Sequence, residues 1–388
     1  MTSKNTRYHK LRVSVIEPLG SHGGMDYYNT CLCFALAKKG VDVTLYTSGS
    51  VVTKDLNEPF QIKYTYKNVY GNKSRILRGL KYIFATALSL LESKFSKTRI
   101  CHFHLFTPGP LETFNILLAK MLRMDCVVTA HDIESLDENI KTRIFPSLCY
   151  RIADKIIVHN KWSRDTINGK FNVAEGKISI IPHGNYLPLI NSIPSRSKAR
   201  KKLHIPDNAK ILLFFGHIKK VKGLDLLIEA MPMVLNKYPE TKLLIAGRPW
   251  KIDYQIYREM INRTEIHKNC IEKICFIPHN EISFYFAASD LVVLPYRKIY
   301  QSGVMILAMS YNKPILISDL PPAKEIIKDG INGFLFQAGN SFSLAQEICS
   351  VLSNPEKMEE VASNGYNFVI TKLDWNVIGL LTKKTYLH

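Results

Sequence analysis

Ile211-Leu212-Leu213-Phe214-Phe215-Gly216-His217-Ile218-Lys219-Lys220-Val221-Lys222-Gly223 is the stretch that decides the fold. An apolar run of strand length ends in a glycine, and three lysines follow before an apolar helical pattern begins at Leu224. Further on, Leu291-Val292-Val293-Leu294-Pro295 is followed by Gln301-Ser302-Gly303 and a helix-like run from Val304 to Ser310, the same order of strand, small polar residues and helix. A helix start presents unpaired backbone N–H groups and the positive end of the helix dipole, so both places suit an anion. Two such features in one half of an α/β chain point to a nucleoside diphosphate held between them.

Outward from these stretches, strands and helices alternate. Ile211 to Phe215, Lys242 to Ala246, Ile274 to Ile277, Leu291 to Leu294, Pro314 to Ser318 and Gly333 to Phe336 read as strands, with helices at Leu224 to Lys237 and Glu281 to Ala288. The earlier half repeats the plan. It has a strand from Leu11 to Ile16, a turn at Gly20-Ser21-His22-Gly23-Gly24, a helix from Met25 to Lys39, and strands at Val41 to Thr47, Ile100 to His104, Cys126 to Ala130, Lys155 to His159 and Ile178 to Ile181. The basic stretch from Asn191 to Lys202, with Pro194, reads as the linker. The expected fold class is α/β, two doubly wound Rossmann-like domains (residues 1–188 and 189–365) facing a central cleft, with residues 366–388 as a terminal helix.

Composition narrows the function. With 388 residues, 46% hydrophobic, the chain exceeds one core. A formal charge of +19 suits nucleic acid, an anionic membrane or phosphorylated small molecules, but no nucleic-acid-binding pattern accompanies the cations, so no nucleic-acid partner is expected. The eight cysteines are scattered without paired CxxC spacing, which supports neither zinc nor a disulfide framework. The N-terminus lacks an apolar signal core, and the longest uncharged apolar run, Tyr82 to Leu91, is too short to span a bilayer, so a cytoplasmic protein is expected.

Several short motifs occur together: Gly23-Gly24 after the first strand, His131-Asp132, Ile181-Pro182-His183-Gly184, the Gly216 to Gly223 segment, Ala246-Gly247, Ala288-Ser289-Asp290 to Pro295, and Asp329 to Gly333. In this order and spacing, over residues 11 to 340, the chain resembles glycosyltransferase family 4. The resemblance implies a GT-B fold, retaining transfer of a sugar from a nucleotide-diphosphate donor, no metal or other cofactor, and a last helix that crosses back onto the N-terminal domain.

It also implies roles for residues. Gly24 would let the first helix approach the donor phosphate or acceptor, with Gly23 and Asp132 on the acceptor side. The His131 imidazole, or its neighbouring backbone, would stabilise charge at the anomeric centre. The family places an Arg and a Lys five residues apart on the donor pyrophosphate; Lys222 fits the second position, His217 stands where the Arg is expected, and Lys219 or Lys220 could supply the missing cation. The family's paired glutamates fall on Ile299 and Leu307, which accept no hydrogen bond. Tyr296, Gln301, Ser302, Gly303 and Glu325 remain as donor contacts, with Gln301 and Glu325 as candidate substitutes. His22, His102, His104 and His183 read as packing or loop residues.

Residues 73–97 form a helical pattern with Lys73, Arg75, Arg78 and Lys81 in its first part, suited either to an ordinary solvated helix or to an anionic inner membrane face. The expected function is hexosyl transfer to a glycan or polyprenyl-linked acceptor in polysaccharide or glycolipid biosynthesis. The alternatives are a nucleotide-sugar epimerase of the same fold and a non-catalytic sugar-nucleotide or glycan-binding protein.

Overall fold

The computed structural model describes residues 10–20, 24–49, 59–67, 69, 74–106, 108–136 and 143–388. It separates into two compact units, Met1–His183 with Trp375–His388, and Gly184–Asp374.

Unit 1 runs β1 (Arg12–Glu17), α1 (Met25–Lys38), β2 (Asp42–Thr47), β3 (Gln61–Lys63), α2 (Arg75–Phe95), β4 (Ile100–Leu105), α3 (Pro110–Met121), β5 (Asp125–Ala130), α4 (Ile144–Ile152), β6 (Lys155–Val158), α5 (Lys161–Phe171) and β7 (Ile178–Ile180). The sheet is parallel, in the order β3-β2-β1-β4-β5-β6-β7. Its central strands are buried on both faces, so apolar residues do not alternate with exposed ones, and Ser14, His102, His104 and Thr129 are polar residues buried among them. The strand order reverses between β1 and β4, the topological switch point at which such sheets open a crevice beyond their carboxyl ends.

Unit 2 runs α6 (Arg196–Leu203), β8 (Lys210–Phe215), α7 (Leu224–Lys237), β9 (Thr241–Ala246), α8 (Gln255–Arg263), β10 (Cys270–Lys273), α9 (His279–Ala288), β11 (Leu291–Leu294), α10 (Gly303–Ser310), β12 (Ile315–Ser318), α11 (Pro321–Lys324), β13 (Phe334–Phe336), α12 (Ser341–Leu352) and α13 (Pro355–Lys372). The sheet order β10-β9-β8-β11-β12-β13 again reverses once, between β8 and β11. Those are the two strands whose following loops the sequence marks as anion-facing. Leu212, Leu213, Leu243, Leu291 and Leu316 are fully buried in its core, each worth about 1.5–3 kcal/mol of transfer free energy.

Four expectations shift. The stretch expected as a linker contains α6, which packs on α9. Ser195 caps it by accepting from the Lys198 N–H, and Arg200 is almost fully buried there. The Arg200 guanidinium donates to the carbonyls of Ala288 (3.2 Å) and Pro206 (3.3 Å) and to Asp290 Oδ2 (2.8 Å), which also accepts the Ile211 N–H at 2.7 Å. Truncating it would take a donor from Asp290 and from three carbonyls, those of Ala288, Pro206 and Asp207. Arg200→Ala is therefore expected to destabilise unit 2 by about 3–5 kcal/mol, read as a lowered urea midpoint, where removal of the exposed neighbour Lys201 costs under about 0.5 kcal/mol.

Second, the strand expected over Ile274 to Ile277 lies one element earlier, at Cys270–Lys273. There Ile271 pairs with Leu244 of β9, and the Lys273 carbonyl accepts the Gly247 N–H. Third, the first unit ends before Pro188. Asn185 donates from Nδ2 to the Val369 carbonyl (3.0 Å) and the Tyr186 N–H reaches Ser310 Oγ (3.1 Å), so this segment folds with unit 2. Fourth, only α14 (Trp375–Leu387), not all of 366–388, belongs to unit 1. It lies so close to α1 that a Cβ at Gly379 would come within 2.8 Å of the Ala35 methyl, and Lys383 Nζ donates to the Lys39 carbonyl.

Candidate active site

In unit 2 the loop after β8 and the loop after β11 are joined. The Arg297 N–H donates to the Val221 carbonyl at 2.8 Å. Gly223 has φ 68°, and a Cβ there would fall 1.9 Å from the Pro295 carbonyl oxygen, so only glycine lets the two loops meet. Gly247, at the end of β9, is equally constrained by the Gly216 carbonyl, 1.7 Å from where its Cβ would lie. This closure sets Lys222 Nζ over the Tyr296 ring, 3.8 Å from its centroid. The Tyr296 hydroxyl and Ser302 Oγ share a hydrogen bond of 3.0 Å, and Ser302 Oγ accepts the Met305 N–H as the N-cap of α10. Burial pushes the Tyr296 phenol far above its ordinary range, so it stays neutral. A lysine, a phenol, a capping serine and a helix N-terminus are thus one assembly, with Gly303 opening the helix so close to Tyr186 that a Cβ would lie 2.6 Å from its hydroxyl.

The other donor candidates disperse. His217 and Lys219 gather at Trp250, the imidazole 5.6 Å from the indole ring and the Lys219 Nζ 5.7 Å from it, while Lys220 is exposed. Ile299 is buried and Leu307 half-buried, so the two positions expected to correspond to the family's glutamates are occupied by packed apolar side chains. Gln301 Oε1 is shielded from solvent and accepts no hydrogen bond from the described residues, leaving an acceptor beside the α10 terminus. Glu325 is exposed at the C-terminal end of α11, not in the first turn of a helix.

In unit 1 the histidines form a chain across adjacent strands. His159 Nδ1 lies 3.0 Å from the Ile181 carbonyl, which only accepts, so Nδ1 carries the proton and, in the neutral ring, Nε2 accepts. His159 Nε2 therefore takes the Nδ1–H of His131 at 3.1 Å, and His131 Nε2 takes the Nδ1–H of His104 at 2.9 Å. His104 Nε2 ends the chain as a buried acceptor without a partner. One carbonyl thus sets three tautomers. His102 stacks on His104 at 4.8 Å and bonds Thr129 Oγ1 and the Tyr386 hydroxyl of α14, both at 2.7 Å. Desolvation holds His131 and His104 well below the usual imidazole range, and His102 and His159 are lowered to about 3 and about 4. Tyr28 of α1 sets its ring edge against those of His104, His131 and His159.

His102 and His104, expected to be separate packing residues, therefore belong to one network with His131. Both ring nitrogens of His131 are committed within it, its N–H donates to the Leu105 carbonyl, and its ring stacks on Phe106 at 4.7 Å. Asp132 is half-buried beside it. Gly24 caps α1 in the left-handed conformation (φ 82°), with open space where a Cβ would be. Gly23, His22 and Lys73 lie outside the described residues.

Residues 22–185 match the family model described as Glycosyltransferase Family 4, and residues 195–368 match Glycosyl transferases group 1. The chain is a family 4-like glycosyltransferase of the GT-B fold. An uncharacterized glycosyltransferase of Haemophilus influenzae is 24% identical over 341 residues, 87% of this chain and 89% of that one. The lipopolysaccharide 1,2-N-acetylglucosaminetransferase of Salmonella typhimurium is 27% identical over 231 residues, 57% of this chain and 58% of its own, so the chain spans less than two thirds of that relative. Among solved structures, Anabaena HepE in complex with UDP-glucose has a TM-score of 0.78 at 19% identity, covering 97% of this chain and 100% of that one, a likeness of fold.

Three residues of this glycosyltransferase escape sequence reading. Trp250 and His159 carry no motif of their own. Glu17, the last residue of β1, is fully buried; its carboxyl accepts the N–H groups of Leu19 and Gly20 and the Asn29 amide, and burial raises it to about 7. It holds the turn over residues 18–20 and ties it to α1 through Asn29. A charge ending an apolar strand beside a glycine turn was its only signal.

Proposed function

We propose that this glycosyltransferase moves a sugar, with retention, from a nucleoside-diphosphate donor to a glycan or lipid-linked acceptor in polysaccharide or glycolipid assembly. The observation that carries the reading is the joining of Lys222 to the α10 terminus through Tyr296 and Ser302. An ammonium and a set of unpaired helix N–H groups meet a diphosphate with charge and hydrogen bonds together, and both strengthen as charge develops on the leaving group. HepE is bound to UDP-glucose and the Salmonella relative is named for N-acetylglucosamine transfer, so UDP-sugars are the first donors to try.

Unit 2 takes the donor in this reading. Gly303 and Ser302 present the amides, Lys222 neutralises the leaving diphosphate, and Lys219 with His217 extends the positive side at Trp250. Gln301 Oε1, lacking a donor among the described residues, accepts a ribose or sugar hydroxyl where the family uses glutamate. The acceptor belongs to unit 1, with Gly24 and Asp132. With both imidazole nitrogens and its own backbone N–H committed, His131 serves by holding the neighbouring strand-end backbone at the anomeric centre, itself positioned by His104 and His159. The transfer breaks the anomeric C–O bond to the diphosphate, forms one to an acceptor hydroxyl, and passes that hydroxyl's proton to the departing phosphate.

The burial of Ile299 favours one rival, a protein that holds a sugar nucleotide without turning it over. Thermal unfolding with UDP, GDP and a short oligonucleotide tests the binding, and release of free UDP from UDP-sugars tests turnover. At about 100 times its Kd, a diphosphate adds about 2.7 kcal/mol, a rise of roughly 5–10 °C. Protection without release supports the binding protein, and protection by the oligonucleotide alone overturns both readings.

A further inference from the structure

α2 is apolar on both faces. Its buried face carries Tyr82, Ala85 and Leu90 together with Thr86, Ser89 and Ser93, whose hydroxyls bond Tyr66, Thr65 and Ser14. Its exposed face carries Leu77, Leu80, Phe84, Leu88, Leu91 and Phe95, one stripe at spacings of three and four residues. Leu80, Phe84 and Phe95 are 60%, 71% and 84% exposed. A helix that only completed a soluble domain would carry polar residues on that face. The stripe runs nearly the whole of a 21-residue helix, about 30 Å. A groove of about 350 Å³, lined by Thr65, Val69, Leu80, Lys81, Phe84 and Ala85, opens along it. Exposed Met121 lies at the end of α3, the helix that packs on α2. Apolar surface on this scale marks a surface that is covered in use.

The charges say by what. Arg78 and Lys81 flank the stripe near its start and Lys94 and Lys97 near its end, whereas Glu92, the helix's one acid, is paired with Lys63. A second copy of this chain laid on the stripe would bring basic flank against basic flank in a molecule of formal charge +19. An acidic bilayer surface matches both parts: acyl chains take the stripe, and lipid phosphates take the flanking lysines and arginines. No helix among the described residues is long and apolar enough to cross a membrane, which leaves attachment at the surface for α2.

We propose that the solvent face of α2 is a docking surface for an anionic phospholipid bilayer, lying in the headgroup plane with Leu80, Phe84 and Phe95 inserted. The docking stands on the geometry of α2 alone; only its use, bringing the enzyme to a lipid-linked acceptor, rests on the function proposed above.

Co-flotation with vesicles tests it. The protein is expected to float with vesicles of phosphatidylcholine and phosphatidylglycerol (7:3) and not with phosphatidylcholine alone, and to lose at least tenfold of that binding in 0.5 M salt. Leu80→Asp/Phe84→Asp is expected to reduce flotation at least tenfold. Arg78→Gln/Lys94→Gln, which leaves the apolar stripe whole, is expected to reduce it about threefold or more. Leu80, Phe84 and Lys94 are exposed and Arg78 half-buried, so the melting temperature and its rise with UDP should match wild type. Loss of flotation with the UDP response kept supports docking, whereas loss of that response in wild type counts against the function and not against docking. Flotation of the Asp variant equal to wild type overturns the proposal. So does a wild-type dimer in light scattering that the Asp variant converts to monomer, since a second copy would then cover the stripe.

Discussion

Replacing Lys222 by alanine is expected to lower kcat/KM for sugar transfer by about 10²–10³-fold, with Lys220→Ala within about twofold of wild type. The difference lies in what holds each ammonium. Lys220 is exposed at the tip of the loop, and its charge is spread into solvent. Lys222 is half-buried, and its Nζ is seated over the Tyr296 ring beside the N-cap of α10. A charge fixed before the leaving group departs needs little reorganisation when negative charge develops there. That is where such a cation contributes most, about 3–4 kcal/mol. Lys222→Arg keeps the charge but not its compact shape and should recover only part of the rate. Steady-state kinetics with the best donor from the UDP-sugar screen decide it. The loss should fall mainly in kcat, because the interaction strengthens in the transition state. If Lys222→Ala keeps a third or more of the wild-type rate, the donor site has been assigned to the wrong loop.

What the sequence made legible follows from where the information sits. β8 and β11 are central and covered on both faces, so each is a continuous apolar run, and their glycine and lysine loops mark the switch point of the second sheet. β10 is an edge strand with Glu272 and Lys273 in it, so its apolar signal is weak, and the richer Ile274-Cys275-Phe276-Ile277 drew the expected strand past its end. α6 reads as a basic linker because it is short and polar; the burial of Ala199 and Leu203 and the distant pairing of Arg200 with Asp290 make it a packed element. The active-site candidates divide the same way. Lys222, Ser302 and Gly303 are local signals, a cation before a helix and small residues at a helix start. The union of Lys222 with Tyr296, and the chain of His104, His131 and His159, join positions 27 or more residues apart, and no local spacing encodes them.

That chain sets the second large effect: acidification from pH 6.5 to about 4.5 is expected to unfold unit 1 before unit 2. Four imidazoles, those of His102, His104, His131 and His159, are neutral in the folded protein because burial holds them well below the ordinary value of about 6.5. Below pH 6.5 the unfolded chain takes up protons that the folded one refuses. The stability present above that pH is therefore lost as pH falls, until His159 charges near 4 and His102 near 3. Each group removes about 1.4 kcal/mol per pH unit in that window. Glu17 acts in the opposite sense, since its folded carboxyl, raised to about 7, keeps a proton that the unfolded chain releases down to about 4.5. Glu112, also raised by burial, acts the same way. Set against the four histidines, Glu17 cancels one and Glu112 offsets at most another, so at least two remain uncompensated; at about 1.4 kcal/mol each per pH unit they remove roughly 5 kcal/mol over two units, which rivals the whole stability of an ordinary domain. In unit 2 the lysine lowered by burial, Lys313, has its loss at alkaline pH, near 8 and above, and Asp319 is lowered from the usual carboxylate range, so its loss comes at more acid pH. Fluorescence of a Trp250→Phe variant, which keeps Trp162 and Trp375 in unit 1, isolates the sensitive half. Urea midpoints should fall steeply from pH 6.5 to 4.5, and His159→Gln should flatten the slope by about one proton while lowering stability at pH 7. A unit 1 midpoint that stays level across that window would mean that the histidines carry charge in the folded protein and that the hydrogen-bonded chain of neutral rings is wrong.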